Sequence, residues 1–443
     1  MTRRSGSAAG QLPDHRRPFD RDRPGGRLRR RAGAMAAALA VFPGLLATSA
    51  CGGSAPAGAD GGDDYTVMTW APSGSGTADR HGVTDVAVAI GKTVFKDGLN
   101  GRKLKVLTCD EQNTADGATA CARKAVDAHA LAVIGSYSQY ADAFMPALEN
   151  ARIPYLGGFG LSSADFSSPD SYPVAGGTPT LVAGSGRQLA AAGCRSVTLI
   201  RPDTRAGDTL TRYLSGALQP SGVKLTDIKV AEKVLDLQEP ASRAIGDDKT
   251  GSCVTNALGP DQTLTLIDTY RRLAPKHTVL ASLLGSVQQS VIDATGGTSS
   301  PLNESLAVGW YPPAGARVWD DLRAAVQSAG DLRIDTSDLG VQNTWVAYQV
   351  FLQACQRVSA AGQPLTAKTL RSELDSGDSF DTGGTTPRLN WGMTDMLPSA
   401  ESPRLVNTWV TFQQVKNGRL TEQQRGFSDV RWVLTGGKPP ANQ

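Results

Sequence analysis

Gly135-Ser136-Tyr137-Ser138-Gln139 is the stretch of this chain best suited to hold a small anion. It follows the apolar run ALAVIGS and opens a helical pattern, so its N–H groups and hydroxyls point where a carboxylate gains from the helix dipole. A plain N-cap role for Ser136 or Ser138 fits the same position. Covalent chemistry has fewer candidates. Gly74-Ser75-Gly76 lacks the third glycine of a dinucleotide loop, and no acidic ribose partner follows it. There is no Gly-x-Ser-x-Gly elbow, Walker loop or His-Glu-x-x-His. Beyond the first 50 residues the histidines are His81, His129 and His277, which leaves few bases for a hydrolytic triad. Noncovalent binding without a cofactor is expected, not catalysis.

The cysteines carry the other readable chemistry. Cys109 ends the strand-like run LKVLTC, and Cys121 lies in the next helical pattern 12 residues on, so a bridge there pins strand to helix. Cys194 and Cys253 each start a strand-like segment, CRSVTLI and CVTNAL, and would bridge neighbouring parallel strands. Cys355 sits in the apolar helical pattern NTWVAYQVFLQACQRV and reads as a buried thiol. No Cys-x-x-Cys occurs, which argues against a zinc site. Paired cysteines in this number suit an exported chain.

The first 50 residues agree with export. They hold ten arginines and three aspartates, and removing them from 45 basic and 42 acidic residues leaves 35 against 39. The remaining chain is mildly acidic without basic clusters, which disfavours a nucleic-acid partner. Arg27, Arg29, Arg30 and Arg31 precede the run MAAALAVFPGLLA, too short for a bilayer span of about 20 apolar residues and laid out as a signal peptide over 1–50. Thr48-Ser49-Ala50-Cys51 resembles a bacterial lipobox, which implies lipidation at Cys51; Thr48 stands where Leu, Val or Ile is usual, and cleavage by ordinary signal peptidase is the alternative. Residues 51–64 contain only small, acidic and Pro residues after that cysteine and read as a flexible tether.

From Tyr65 onward, β-branched runs alternate with segments of helical period, the pattern of parallel sheets covered by helices. The runs YTVMTW, LKVLTC, ALAVIGS and IPYLGG make one α/β unit. SVTLI, LTDIKV, CVTNAL, HTVLAS and SLAVGW make a second. Three helical patterns follow, near 317–329, 341–359 and 366–375, and NTWVTFQQVKNGRL reads as a terminal hairpin turning at Lys-Asn-Gly.

In this order and spacing, several stretches resemble the type I periplasmic binding proteins of the leucine/isoleucine/valine group, the substrate-capturing parts of ABC importers. They are Asn100-Gly101-Arg102-Lys103 leading to Asp110-Glu111, Cys121-Ala122-Arg123-Lys124-Ala125-Val126, Ala132-Val133-Ile134-Gly135-Ser136-Tyr137-Ser138, Ala151-Arg152-Ile153-Pro154-Tyr155, Pro387-Arg388-Leu389-Asn390-Trp391 and Gln414-Val415-Lys416-Asn417-Gly418. The resemblance covers roughly 65–430 and implies two doubly wound parallel-sheet lobes joined by a three-segment hinge. Lobe 1 is expected over 65–174 and 312–378, lobe 2 over 175–311 and 379–435, with a tail at 436–443.

The resemblance also implies a site in the cleft between the lobes, outside the carboxyl ends of the strands. It places Phe159, Gly160, Leu161 and Ser162 where relatives hold an amino acid's carboxylate and amino group, with Leu161 at the position of a Thr. A glycine turn serving only packing fits the same residues. In lobe 2, Ala206 stands where the family has a Tyr, beside Arg205, which either grips an acidic ligand or is an exposed loop arginine. Leu258 lies in a loop without the family's aromatic residue, and Leu283 stands at the place of the ammonium-binding Glu. His81 matches a position where some relatives put a Trp over the ligand. A buried ammonium without a carboxylate partner is costly, so the expected ligand is more apolar than a free amino acid. The expected partners are a small-molecule ligand and an ABC permease and ATPase complex, with a monomer held at the outer face of the cell membrane by the lipid on Cys51. A lipid-anchored sensor, or a module that has lost its ligand, is the alternative.

Overall fold

The computed structural model describes residues 64–74, 79–231, 234–283, 287–331 and 333–440. The expected signal peptide, Cys51 and residues 52–63 of the tether lie outside them. Among the described residues, no helix is long and apolar enough to cross a membrane.

Lobe 1 is built on a five-stranded parallel sheet in the order β2-β1-β3-β4-β5. Its strands are β1 (Tyr65–Ala71), β2 (Leu104–Asp110), β3 (Val133–Ile134), β4 (Tyr155–Leu156) and β5 (Ser171–Tyr172). β1 and β2 pair in register from Tyr65 opposite Leu104 to Ala71 opposite Asp110. The connecting helices are α1 (His81–Thr93), α2 (Ala115–Asp127), α3 (Ala141–Ala151) and the short α4 (Ala164–Ser167). Val83, Val86 and Ile90 bury one face of α1 as the sequence period predicts, but Val94, which the same period places on that face, is 41% exposed at the helix C-cap. Trp70, Phe144 and Tyr155 pack together on the other side of the sheet, with ring centroids of Trp70 and Phe144 4.9 Å apart.

Lobe 2 opens with α5 (Gly177–Ala191) and continues with β6 (Ser196–Pro202), α6 (Arg205–Leu218), β7 (Lys224–Val230), α7 (Gln238–Ile245), β8 (Ser252–Asn256), α8 (Pro260–Leu273), β9 (Val279–Leu283), α9 (Gln289–Ala294) and β10 (Leu306–Gly309). α5 lies close against β10, because a Cβ on Gly184 would come within 2.9 Å of Val308. The chain then returns to lobe 1 for α10 (Asp320–Ala329), α11 (Leu339–Ala360) and α12 (Ala367–Leu374). It finishes on lobe 2 with β11 (Trp409–Lys416), β12 (Arg419–Glu422), β13 (Ser428–Asp429) and α13 (Arg431–Leu434). The second sheet runs β12-β11-β10-β9-β8-β6-β7, with β11 antiparallel to β10 and β13 paired to β11. The first sheet is parallel throughout and the second is parallel from β10 to β7 with an antiparallel edge at β11 and β12, the two-lobed α/β architecture expected from the alternation of runs.

Three chain passes join the lobes, after β5, after β10 and before β11. The sequence places the third near 379, but Phe380 to Trp391 and Arg404 still pack on lobe 1, while Asp395, Met396 and Glu401 already reach Arg431 and Arg212 of lobe 2. Phe380 and Leu389 form an isolated antiparallel bridge, Trp391 packs edge-on to Tyr172 at 5.7 Å, and Arg404 Nε donates to the Ser171 carbonyl at 2.9 Å. The crossing comes at 405–409, where Asn407 Nδ2 donates to the Val174 carbonyl of the first pass at 2.8 Å. Aromatic and arginine contacts at such sequence separation leave no local mark, which is why the shift was invisible in the chain.

Both disulfides are formed: Cys109 to Cys121 ties β2 to α2, and Cys194 to Cys253 ties the entry of β6 to its neighbour β8. Cys355 is a buried thiol.

Candidate functional site

The cleft is positioned by close packing behind it. Gly135 and Gly157 end β3 and β4 with φ of +63° and +67°, and a Cβ on either would collide with α11, at 2.7 Å from Thr344 Cα and 2.3 Å from Ala347 Cβ. The glycines thus let α11 lie across the strand ends. Thr344 Oγ1 donates to the Gly135 carbonyl and Asn343 Nδ2 to the Gly157 carbonyl, both at 2.6 Å, and Tyr311 OH at the second pass donates to Asn343 Oδ1. This brings the first residues of α11 to the cleft. A cavity of about 370 Å³ lies there, at the carboxyl ends of both sheets.

One wall belongs to lobe 1: Arg80, Tyr137, Gln139, Phe159, Leu161, Asp338, Leu339 and Gly340. The other belongs to lobe 2 and its first pass: Thr178, Leu181, Pro202, Ala257, Leu258, Gly259, Leu283, Gln288 and Trp310. Tyr137, Phe159 and Trp310 form an aromatic row with centroids 4.7 and 5.2 Å apart, held at its far end by Trp310 Nε1 donating to the Gly177 carbonyl. The Arg80 guanidinium lies over the Tyr137 ring, 5.1 Å from its centroid. Burial raises the Tyr137 phenol above its ordinary pKa, and Arg80 pulls it the other way.

Of the residues chosen from sequence, the structure brings Gln139, Phe159, Leu161, Leu258 and Leu283 to the cavity. Gln139 is exposed at its edge, while Leu258 and Leu283 are 3% and 5% exposed. The serines are placed differently. The Ser136 hydroxyl is fully buried and accepts from Trp70 N at 3.0 Å, Ser138 Oγ accepts from Tyr140 N at 3.1 Å, and Ser162 Oγ accepts from Ala141 N at 3.0 Å. Each hydroxyl satisfies a backbone donor near the start of α3 or in β1; the N-cap of α3 is Tyr140, not Ser138 or Ser136, and Ser138 holds the N–H of that cap residue instead. Gly160, with φ +77°, lets the loop pass Phe166, whose ring would lie 2.6 Å from an added Cβ. His81 begins α1 with Nδ1 2.9 Å from Asp79 Oδ2 and faces solvent, and the residue before it, Arg80, is the one in the cleft. Arg205 and Ala206 open α6, behind the Thr204 N-cap.

Two buried acids stand behind the lobe 1 wall. Asp165 Oδ2 accepts from Leu161 N at 3.1 Å and Ser162 N at 2.8 Å, fixing the loop that carries Leu161, and burial pushes its carboxyl up to about 7. Glu111 is buried beside Ser138, and burial raises it to about 7 against the pull of that hydroxyl.

Arg80, Gln288, Asp338 and Trp310 were not chosen from sequence. Asp338 had a readable signal, as an Asp just before an apolar helix, which is an N-cap position: its Oδ1 accepts from Gly340 N at 2.8 Å and Val341 N at 3.0 Å. Its Oδ2 accepts from Gln288 Nε2 at 3.1 Å. The one acid lining the cavity is therefore engaged by three donors. A larger hollow of about 420 Å³ between Tyr270 and Ser305 belongs to lobe 2 alone, at the amino ends of β9 and β10, and gathers none of the residues above.

The chain belongs to the periplasmic binding protein family, whose profile matches residues 68–419. These are extracytoplasmic solute-binding proteins. No curated protein matches it. Among solved structures it is similar to a solute-binding protein of an ABC transporter from Rhodopseudomonas palustris in complex with 3,4-dihydroxybenzoic acid (14% identity, 86% of this chain and 100% of that one, TM-score 0.66). It is also similar to a branched-chain amino acid ABC transporter protein from Thermus thermophilus with bound valine (13%, 85% and 100%, 0.67). A third is a fatty acid ABC transporter substrate-binding protein from Thermomonospora curvata (14%, 83% and 94%, 0.65). At these identities the likeness is one of fold.

Proposed function

We propose that this protein is an exported lipoprotein, anchored through Cys51, that captures a small apolar carboxylate between its lobes and delivers it to an ABC permease and ATPase complex. The observation that carries the reading is the charge arrangement of the cavity: a guanidinium over an aromatic ring, apolar walls from both lobes, and a single acid already engaged by three donors. An α-ammonium would have to share Asp338 with the three donors that already engage it, whereas Arg80, whose Nη1 also donates to the Asp79 carbonyl, brings positive charge to the lobe 1 wall and suits a carboxylate. The aromatic row of Tyr137, Phe159 and Trp310 favours a flat or branched apolar body. That relatives of this fold bind dihydroxybenzoate or carry fatty acids is in keeping with this choice. The protein acts as a monomer, and a Cys51→Ser variant is expected to leave the membrane fraction.

A thermal-shift panel of aromatic acids, short fatty acids, their primary amides, and α-amino acids tests the ligand class. Ligand at 100 times its Kd adds about 2.7 kcal/mol of stability. A shift with acids and none with amides or amino acids is expected. Selective stabilisation by an α-amino acid would overturn the reading.

A further inference from the structure

Gln288 and Asp338 belong to different lobes. Gln288 immediately precedes α9, beyond the exit of β9, and Asp338 is the N-cap of α11. Two hydrogen bonds run between the lobes here in opposite directions: Gln288 Nε2 donates to Asp338 Oδ2 at 3.1 Å, and Leu339 N donates to Gln288 Oε1 at 3.0 Å. One side chain thus uses both ends of its amide on the facing lobe.

Each lobe also has bonds of its own at these helix starts. α11 is capped through Asp338 Oδ1, which holds Gly340 N and Val341 N without help from Gln288. α9 is held within lobe 2 by the next residue, Gln289, whose Nε2 donates to the Gly418 carbonyl and whose Oε1 accepts from Leu420 N. Both partners are half-buried and both line the ligand cavity, so their bonds form across the space that opening must widen.

We infer that Gln288 and Asp338 form a clasp that holds the lobes together before any ligand arrives and so sets the open-to-closed ratio of the free protein. The bond to Asp338 is charge-assisted, and separation of the lobes breaks both bonds at once because one side chain makes them. A ligand then meets a cleft already shaped for it, and its apparent affinity rises with the closed fraction. The inference goes beyond the reading of the ligand class and is tested without any ligand.

The test is a distance distribution between spin labels at Asp116→Cys and Asp261→Cys, exposed first-turn positions of α2 and α8, in the ligand-free protein. The unaltered clasp is expected to give a dominant short distance. Gln288→Ala removes the clasp from lobe 2. Asp338→Ser removes it from lobe 1 while keeping a helix-capping hydroxyl, so a shift common to both is not loss of α11. Each is expected to lower the closed-to-open ratio, by up to roughly tenfold, the size of one or two net hydrogen bonds. The double variant is expected to go no further than Gln288→Ala, which already removes both bonds, whereas Asp338→Ser alone keeps the bond from Leu339 N and opens less. A free protein that shows only the long distance, variants that leave the distribution unchanged, or a double variant that opens by the sum of two separate effects would each overturn the clasp. None of these outcomes depends on which solute the cleft takes, so a failed ligand panel and a failed clasp remain distinguishable.

Discussion

The two walls of the cleft are made of different material. All three buried acids among the described residues, Glu111, Asp165 and Asp170, are in lobe 1, where two of them stand behind the loops that carry Tyr137, Gln139 and Leu161. Lobe 2 presents Pro202, Ala257, Leu258 and Leu283 from the ends of strands braced by the disulfide between Cys194 and Cys253. On the proposed reading the labour is divided: lobe 1 would orient the ligand through polar groups whose own positions depend on buried hydrogen bonds, and lobe 2 would cover it with apolar surface.

The largest expected effect is on how each lobe is braced. The bridge in lobe 2 closes 59 residues and that in lobe 1 closes 12. By the entropy of loop closure they contribute about 4 and about 3 kcal/mol. Denaturant unfolding of a Cys194→Ser, Cys253→Ser protein should therefore show the greater loss, and the reverse order would break the contrast.

Next comes the dependence on pH between about 4 and 7, which should belong to lobe 1, since the depressed carboxyl of Asp248 in lobe 2 acts only at lower pH. Glu111 and Asp165 have carboxyls raised to about 7 in the folded protein, so the fold binds their protons more tightly than the unfolded chain does. Their contribution is full below about pH 4 and is lost as pH rises through 7, at roughly 3 kcal/mol each. Glu111→Gln should flatten that fall between pH 4 and 7, measured as melting temperature against pH. An unchanged slope would remove Glu111 from the account.

The smallest effect concerns the ligand. Replacing Arg80 with Met is expected to weaken an apolar carboxylate by about 10- to 100-fold, the worth of a hydrogen bond to a charged group, and its amide by less than about threefold. His81→Ala, one residue on, should change neither beyond about twofold, since that ring faces Asp79 and solvent. Calorimetric titration of the two variants separates them.

Much of the fold was legible because each strand run and helical period is a local pattern. β5 and α7 were not: two residues, Ser171 and Tyr172, carry no period, and Gln238–Ile245 has the apolar Leu237 at its N-cap, its first N–H being held by Asp236 one residue earlier. In the site, apolar residues at strand exits such as Leu258 and Leu283 could be read because a strand end places them. The serines could not. Whether Ser136 or Ser162 faces a ligand or a backbone N–H depends on Trp70 and Ala141, 66 and 21 residues away. Arg80 was overlooked beside His81 because the phase of α1 decides which of two neighbours turns inward, and that phase is fixed by packing against α11, where Gly82 lies 3.2 Å from Val341 when given a Cβ.

The number of chain passes between the lobes has a mechanical meaning. A single strand joining two bodies leaves them free to twist, slide and bend. Three strands, with the third knotted to the first by Asn407 on the Val174 carbonyl and secured by Arg404 over Tyr172, suppress torsion and shear and leave flexure as the soft coordinate. Such a joint has close to one degree of freedom, so one well-chosen ruler across the rim should report nearly the whole motion, and a membrane partner that senses the rim can read a single variable.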